Sequence, residues 1–280
     1  MIIFGTIGIF RRGIIYSSAL IAAVRGIIGS LFLMLFIQIR HGGMNFKAIH
    51  TNRKLLLLSG IAMGFNWILL FDAYNYTTVT IATLCYYMEP LILIIVSPFL
   101  LKEKLTVRKT GSVIAALTGM CFVSGVIGGK MPSGDNLKGI LLGLGAAFLY
   151  ACVVLINKKI HDISAYDKTA VQLLIAGIIM IPFILLTERN TAFIFDLKSL
   201  ILLAIIAIVH TGFAYAMYFG SMVSLPAQTI AVFSYADPVT AVILSALFLK
   251  EPMTGWQIFG AVLIIGASVL SEWSPHQKTK

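Results

Sequence analysis

Four side chains able to carry charge lie deep inside apolar stretches of this sequence: Arg25, Glu89, His210 and Asp237. An ionised group at the centre of a bilayer costs about 2.5–3.5 kcal/mol or more, so it persists only with a task or a partner. Glu89 precedes Pro90 and Asp237 precedes Pro238, with Tyr87 and Tyr235 two residues ahead of the acids. A proline removes a helical hydrogen bond and bends the helix. The carbonyl it frees is tolerated at membrane depth only where it is buried in protein or lines a wet cavity. Acids beside opened backbone suit the holding of a polar solute, and Glu89 is the group through which proton coupling would run. The alternative is that both carboxylates are structural, capping broken backbone or paired within the bundle.

The other candidates divide in the same way. Arg25 either pairs with Asp72, at comparable depth, or attracts anions into a cavity. His210 either binds substrate and relays protons or is a satisfied core group. Trp67, Asn66 and Tyr215 would line a mostly apolar pocket with a few polar handles, as small-molecule sites do. Simple helix packing is the competing explanation for each.

These residues recur at a fixed interval. An offset of 148 aligns Trp67 with Tyr215, Tyr87 with Tyr235, Glu89 with Asp237 and Pro90 with Pro238. It also aligns Ser97 with Ser245, and Leu101-Lys102-Glu103 and Thr106 with Leu249-Lys250-Glu251 and Thr254. Apolar helices match one another too readily for the Leu and Ile identities to count. The paired acid-proline and L-K-E-x-x-T signatures at one offset indicate a tandem duplication.

The elements that must position them are membrane helices. The 280 residues are 59% apolar and only 11% charged, against about a quarter charged in soluble domains. Charges are confined between long apolar blocks, whereas a soluble helix would spread them along its outer face. Crossing the hydrocarbon takes roughly 20 apolar residues per helix, and the runs lack the period-2 alternation of a barrel. The net charge of +10 reflects loop lysines and arginines that set orientation; with no basic stripe among exposed aromatics, nucleic acid is not an expected partner. Cys85, Cys121 and Cys152 fall within apolar segments without metal-type spacing and are expected to be small core residues. No metal or cofactor is expected.

Ten apolar segments can be drawn, at about 1–10, 17–39, 54–74, 79–100, 107–127, 138–157, 169–187, 199–219, 226–249 and 255–272. The first would climb only about 15 Å, as a helix truncated at its N-terminus. Residues 1–127 form the first five-helix repeat, 128–137 the connecting loop, and 138–280 the second repeat with a short tail. With the N-terminus inside, thirteen of the Lys and Arg residues fall in inner loops or the tail and seven outside. That excess favours both termini in the cytoplasm. Five helices per repeat is odd, so the second repeat must enter the membrane inverted relative to the first. The end at Lys102-Glu103 is then internal and the end at Lys250-Glu251 external.

Residues Phe4–Phe10 (F-G-T-I-G-I-F), Val24–Gly29 (V-R-G-I-I-G), the E-P and D-P pairs and the two L-K-E helix ends together resemble the EamA branch of the drug/metabolite transporter superfamily. The resemblance covers essentially the whole chain in order, although no single motif is strict, and relatives carry more chain before the first helix. It implies an all-α integral membrane protein of about ten helices in two inverted five-helix repeats, bounding a central cavity with the third, fourth, eighth and ninth. It also implies a secondary or facilitative transporter of amino acids, related metabolites or drugs, working mostly outward from a bacterial cytoplasmic membrane; glycines spaced near four apart leave monomer and homodimer both open.

An inverted duplication supplies a mechanism, because two halves related by an in-plane axis can rock about a midplane site. Rival classes lack their chemistry here. No convincing nucleophile–base pair marks a membrane-embedded enzyme, no G-x-x-x-x-G-K-[ST] loop marks an ATP-driven pump, and intramembrane polar groups are too few for a channel.

Overall fold

The computed structural model describes residues 1–100, 107–123, 134–188, 194–222, 236–251 and 253–272, and every regular element among them is helical. The chain opens with α1 (Ile2–Gly5) and α2 (Ile7–Arg12), followed by α3 (Ser18–His41), α4 (Phe46–Thr51) and α5 (Arg53–Tyr76). Next come α6 (Val79–Tyr86), α7 (Glu89–Leu100), α8 (Val107–Val123), α9 (Gly134–Asn157) and α10 (Ala165–Thr187). Then α11 (Leu197–Ile205) runs through a π-helical segment (Ile206–Phe213) into α12 (Ala214–Met222), and α13 (Ala236–Phe248) and α14 (Gly255–Glu272) complete the set. The helices α3, α5, α9, α10 and the continuous run Leu197–Tyr218 are long and apolar enough to cross a membrane. The other apolar helices are shorter.

Local sequence fixes the starts. Ser17, Thr78, Ser164 and Asp196 each place a side-chain oxygen on the backbone N–H three residues on, at 3.2, 3.1, 2.9 and 2.8 Å. Each thus satisfies one of the donors that a helix start leaves without an intrahelical partner. Asn45 does the same for α4, a short helix lying outside the ten apolar segments. Gly42, at φ +75°, ends α3 in the left-handed region that glycine enters without cost.

Packing relies on small residues where helices cross. α3 lies along α10, α5 along α9 and α10, and α8 along α14. The π segment packs on α3, α6 and α7 on α9, α1 and α2 on α13, and α6 on α13. At the α3–α10 crossing Gly26 and Gly177 are so close that a Cβ on Gly26 would stand 2.6 Å from the Gly177 nitrogen. Gly119 and Gly260 do the same between α8 and α14, where a Cβ on Gly119 would meet the Gly260 carbonyl oxygen at 2.7 Å. Such approach is how helices gain dispersion energy in lipid, where apolar burial gives no net drive. Polar ties reinforce it. The Gln172 amide donates to Ser59 Oγ and Asn157 Oδ1, both at 2.6 Å, joining α10, α5 and α9. Ser30 Oγ donates to the Ala170 carbonyl at 2.7 Å.

The outer surface is apolar. Leu35, Ile39, Leu141, Leu186, Phe248 and Val262 are among many large side chains left exposed, the reverse of a water-soluble surface. Cysteine placement differs from expectation. Cys85 is buried, but Cys121 is exposed and Cys152 half-buried; in a lipid solvent a small apolar side chain has no reason to avoid the periphery.

Among the described residues, two apolar segments are broken between helices. The first is divided at Thr6. The fourth breaks at Tyr87-Met88, so Glu89 and Pro90 form the first turn of α7. This replaces the expected mid-helix bend: proline is tolerated in a first turn, where its missing N–H has no partner to lose. Pro238 likewise falls in the first described turn of α13.

Candidate functional site

Arg25 is the centre of the arrangement. Its backbone lies in α3 next to the Gly26 crossing, and its side chain is only 5% exposed. Nε–H donates to Thr211 Oγ1 at 2.8 Å, and that hydroxyl donates on to the Ile206 carbonyl at 3.0 Å. The guanidinium stacks 4.1 Å from the Trp67 ring centroid and 5.6 Å from that of Phe71. The Tyr215 hydroxyl lies within electrostatic reach of it. One cation is therefore held between the aromatic faces of α5 and the hydroxyls of the π segment and α12. Cation–π contacts are worth about 2 kcal/mol when desolvated, and the planar fork lets one Arg stack and donate together.

The expected Arg25–Asp72 pair does not form. Asp72 follows Phe71 by one residue, about 100° around α5, and so turns away from Arg25. Its Oδ1 accepts from Ser18 Oγ at 2.5 Å and from Asn75 Nδ2 at 3.4 Å. Its cationic neighbour is Arg11, whose guanidinium donates to the Ile14 carbonyl, Ser18 and Asn75. Ser18 and Arg25 are seven residues apart on α3, about 10 Å along the axis, and each serves its own cluster.

The acids meet aromatics. The Tyr87 hydroxyl, just after α6, lies within electrostatic reach of the Asp237 carboxyl group of α13. Asp237 is also within electrostatic reach of Arg25 and Tyr215. Glu89 lies in the same field as Tyr86 and Tyr150, whose rings are 5.7 Å apart. Tyr86 in turn packs edge-on to Tyr87 at 5.9 Å. Arg25, Trp67, Tyr87, Glu89, Tyr215 and Asp237 therefore occupy one neighbourhood. Tyr235 lies outside the described residues.

His210 and Asn66 have local partners. His210 Nε2 is 2.7 Å from Thr6 Oγ1 and Nδ1 is 3.4 Å from the Ile205 carbonyl, with Phe10 packed on the ring at 4.9 Å. Thr6 Oγ1 gives its one proton to the Ile3 carbonyl at 2.8 Å, so the His210 Nε2–H is the donor to Thr6. The Asn66 amide donates to the Ala146 carbonyl at 2.5 Å, tying α5 to α9, while its Oδ1 is buried without a partner.

Sequence reasoning passed over Thr211, Phe71, Thr6, Tyr86 and Tyr150. Thr211 was signalled only by standing next to His210. The π segment turns these adjacent side chains onto carbonyls five residues back, a placement that composition does not reveal. π-bulges of this type concentrate at functional sites. Chemically the cluster offers one cation, two acids, several hydroxyls and aromatic faces in an apolar bundle, which suits a small polar organic molecule.

The EamA-like transporter family model matches residues 1–125 and 137–273. The chain belongs to that family. It is a multi-pass membrane protein of a transporter class, with small molecules as its cargo. This EamA-family chain is 31% identical over 274 residues to the "Uncharacterized transporter YxxF" of Bacillus subtilis (strain 168), covering 97% of this chain and 86% of that one. It is 27% identical over 226 residues to the "Probable amino-acid metabolite efflux pump" of Escherichia coli (strain K12), covering 76% and 74%. One solved crystal structure superposes with a TM-score of 0.65 at 19% identity, over 96% of this chain and 92% of that one, a likeness of fold.

Proposed function

We propose that the protein is a ten-helix exporter of small organic solutes in a bacterial cytoplasmic membrane, with both termini cytoplasmic. Two inverted five-helix halves would rock about the Arg25 cluster. The observation that carries this is the Arg25–Thr211 bond in the Arg25 clamp, with Tyr87 facing Asp237 beside it. Each joins side chains from the two halves of the sequence, deep in an apolar bundle where such groups are costly.

The packing supports the inverted repeat. Under the five-plus-five division α3 corresponds to α10 and α8 to α14, and each pair crosses at facing glycines. Counterpart helices meet in this way where they lie beside a two-fold axis that exchanges the halves. Two further contacts come as matched pairs. α3 with the π segment corresponds to α10 with α5, and α1–α2 with α13 to α9 with α6–α7. The efflux name of the Escherichia coli relative favours outward movement of amino-acid-like solutes.

Metabolite efflux from cells with and without the gene tests the proposal, repeated with the proton gradient collapsed. Asp237→Asn and Tyr87→Phe at normal membrane abundance should each cut gene-dependent efflux by at least about tenfold, the scale of about 1.4 kcal/mol lost from a polar site. Full efflux in both variants would remove the cluster from the mechanism.

A further inference from the structure

Of the duplicated L-K-E endings, Leu101–Glu103 lies outside the described residues; in the second, away from the Arg25 cluster, Glu251 bridges three helices. α13 finishes in a turn in which Lys250 adopts φ +51°, a conformation that costs a non-glycine residue energy and persists only where its surroundings enforce it. The turn brings the Glu251 side chain, 10% exposed, onto the start of α6. Its carboxylate accepts from the backbone N–H groups of Val79 at 3.0 Å and Thr80 at 3.3 Å. It accepts from Ser245 Oγ at 2.5 Å and meets the Arg12 guanidinium at 3.4 Å. Thr78 supplies the acceptor for the next donor, Ile81 N–H. The exposed donors of the first α6 turn are thus completed by an acid from another helix, the same helix that carries Asp237. Ser245 and Glu251, both repeated at the 148 interval, are bonded to each other.

Val79 and Thr80 are 1% exposed. If α13 moved off α6, their N–H groups would be left without an acceptor until water entered the seam, so the seam cannot part and stay dry. We propose that Glu251 is a positioning residue of the transport cycle: it holds this end of the bundle shut by capping α6, and its release is the opening step on that side. The proposal rests on the transport mechanism above for what the opening serves, while the contact itself is independent of any substrate.

The test uses the full chain with Cys85, Cys121 and Cys152 replaced by alanine and Thr80→Cys as reporter. Loss of the Thr80 hydroxyl is harmless, since Oγ1 has no partner. Labelling by a membrane-impermeant maleimide is followed in intact cells and inside-out vesicles, with Arg53→Cys, exposed in α5, as a control. Glu251→Ala should accelerate labelling of position 80 from one face by roughly tenfold or more, the scale of losing a charge-assisted bond. Glu251→Gln should give a smaller rise. Arg12→Ala should change it less than about threefold, because the pair's arginine is solvent-exposed and such pairs contribute little. Unchanged labelling in Glu251→Ala, with a normal gel-filtration profile and control rate, would overturn the proposal; so would an equal effect from Arg12→Ala. If Glu251→Ala does not fold, flat rates in both Glu251→Gln and Ser245→Ala overturn it instead. Accelerated labelling in a protein with no efflux activity would keep the cap and discard the transport cycle.

Discussion

Arg25 has four different neighbours, and each constrains a different property of its side chain. Trp67 and Phe71 need a flat cation, Thr211 a directed N–H, and Tyr215 a positive charge within electrostatic reach. Lysine is a point charge without the fork or the plane, so Arg25→Lys should lose most gene-dependent efflux despite keeping the charge. Thr211→Val keeps the shape but deletes the acceptor, leaving a buried charged donor unmet. It should lower stability by about 1–3 kcal/mol, read as a fall in melting temperature in detergent. The sequence made these residues conspicuous, because a charge among Leu and Ile cannot be overlooked. It did not name their partners. Arg25 and Asp72 have matching depth and opposite charge, but depth fixes only height along a helix. The side of α5 on which Asp72 emerges decided the pairing, and one step of sequence beyond Phe71 was enough to reverse it.

Helix boundaries follow a similar division. Capping residues such as Ser17 and Thr78, and apolar length, mark where the long helices run. The interruptions were harder to read. Pro90 signalled a disturbance, yet the break precedes it at Tyr87-Met88, because a proline is easiest to accommodate just after a break. Pro90→Ala would return an N–H to the Tyr86 carbonyl and favour a continuous helix through Glu89. It should leave melting unchanged or slightly raised while slowing efflux, a trade common where function depends on a broken element. The π segment and the short α4 carry no composition signal, since one is a matter of backbone register and the other of a single cap at Asn45. The glycine crossings are the stiffest prediction at this scale. Gly177→Val and Gly119→Val should each abolish the monodisperse gel-filtration peak, because the added Cβ meets backbone atoms, which cannot rotate away.

Across the whole molecule, composition foretold the apolar exterior and the membrane class, since 11% charge cannot coat every helix. Orientation rests on the excess of Lys and Arg in alternate loops. A reporter active only outside the cytoplasm, fused after Asn75, should be active, and one fused after His50 silent; the opposite pattern would invert the topology. The architecture of contacts was not legible, because the 148 interval relates residues in the sequence without stating which helices touch.

The facing glycines carry one more consequence. Gly26 with Gly177 and Gly119 with Gly260 join helices of the two proposed repeats, and under that division each half would recognise its counterpart there as two separate chains do in a dimer. The short linker between them then contributes proximity and little else. Residues 1–127 and 138–280, produced as separate polypeptides in one cell, should find each other and co-purify through a tag on either fragment. A valine at Gly177 should leave each fragment alone in the membrane.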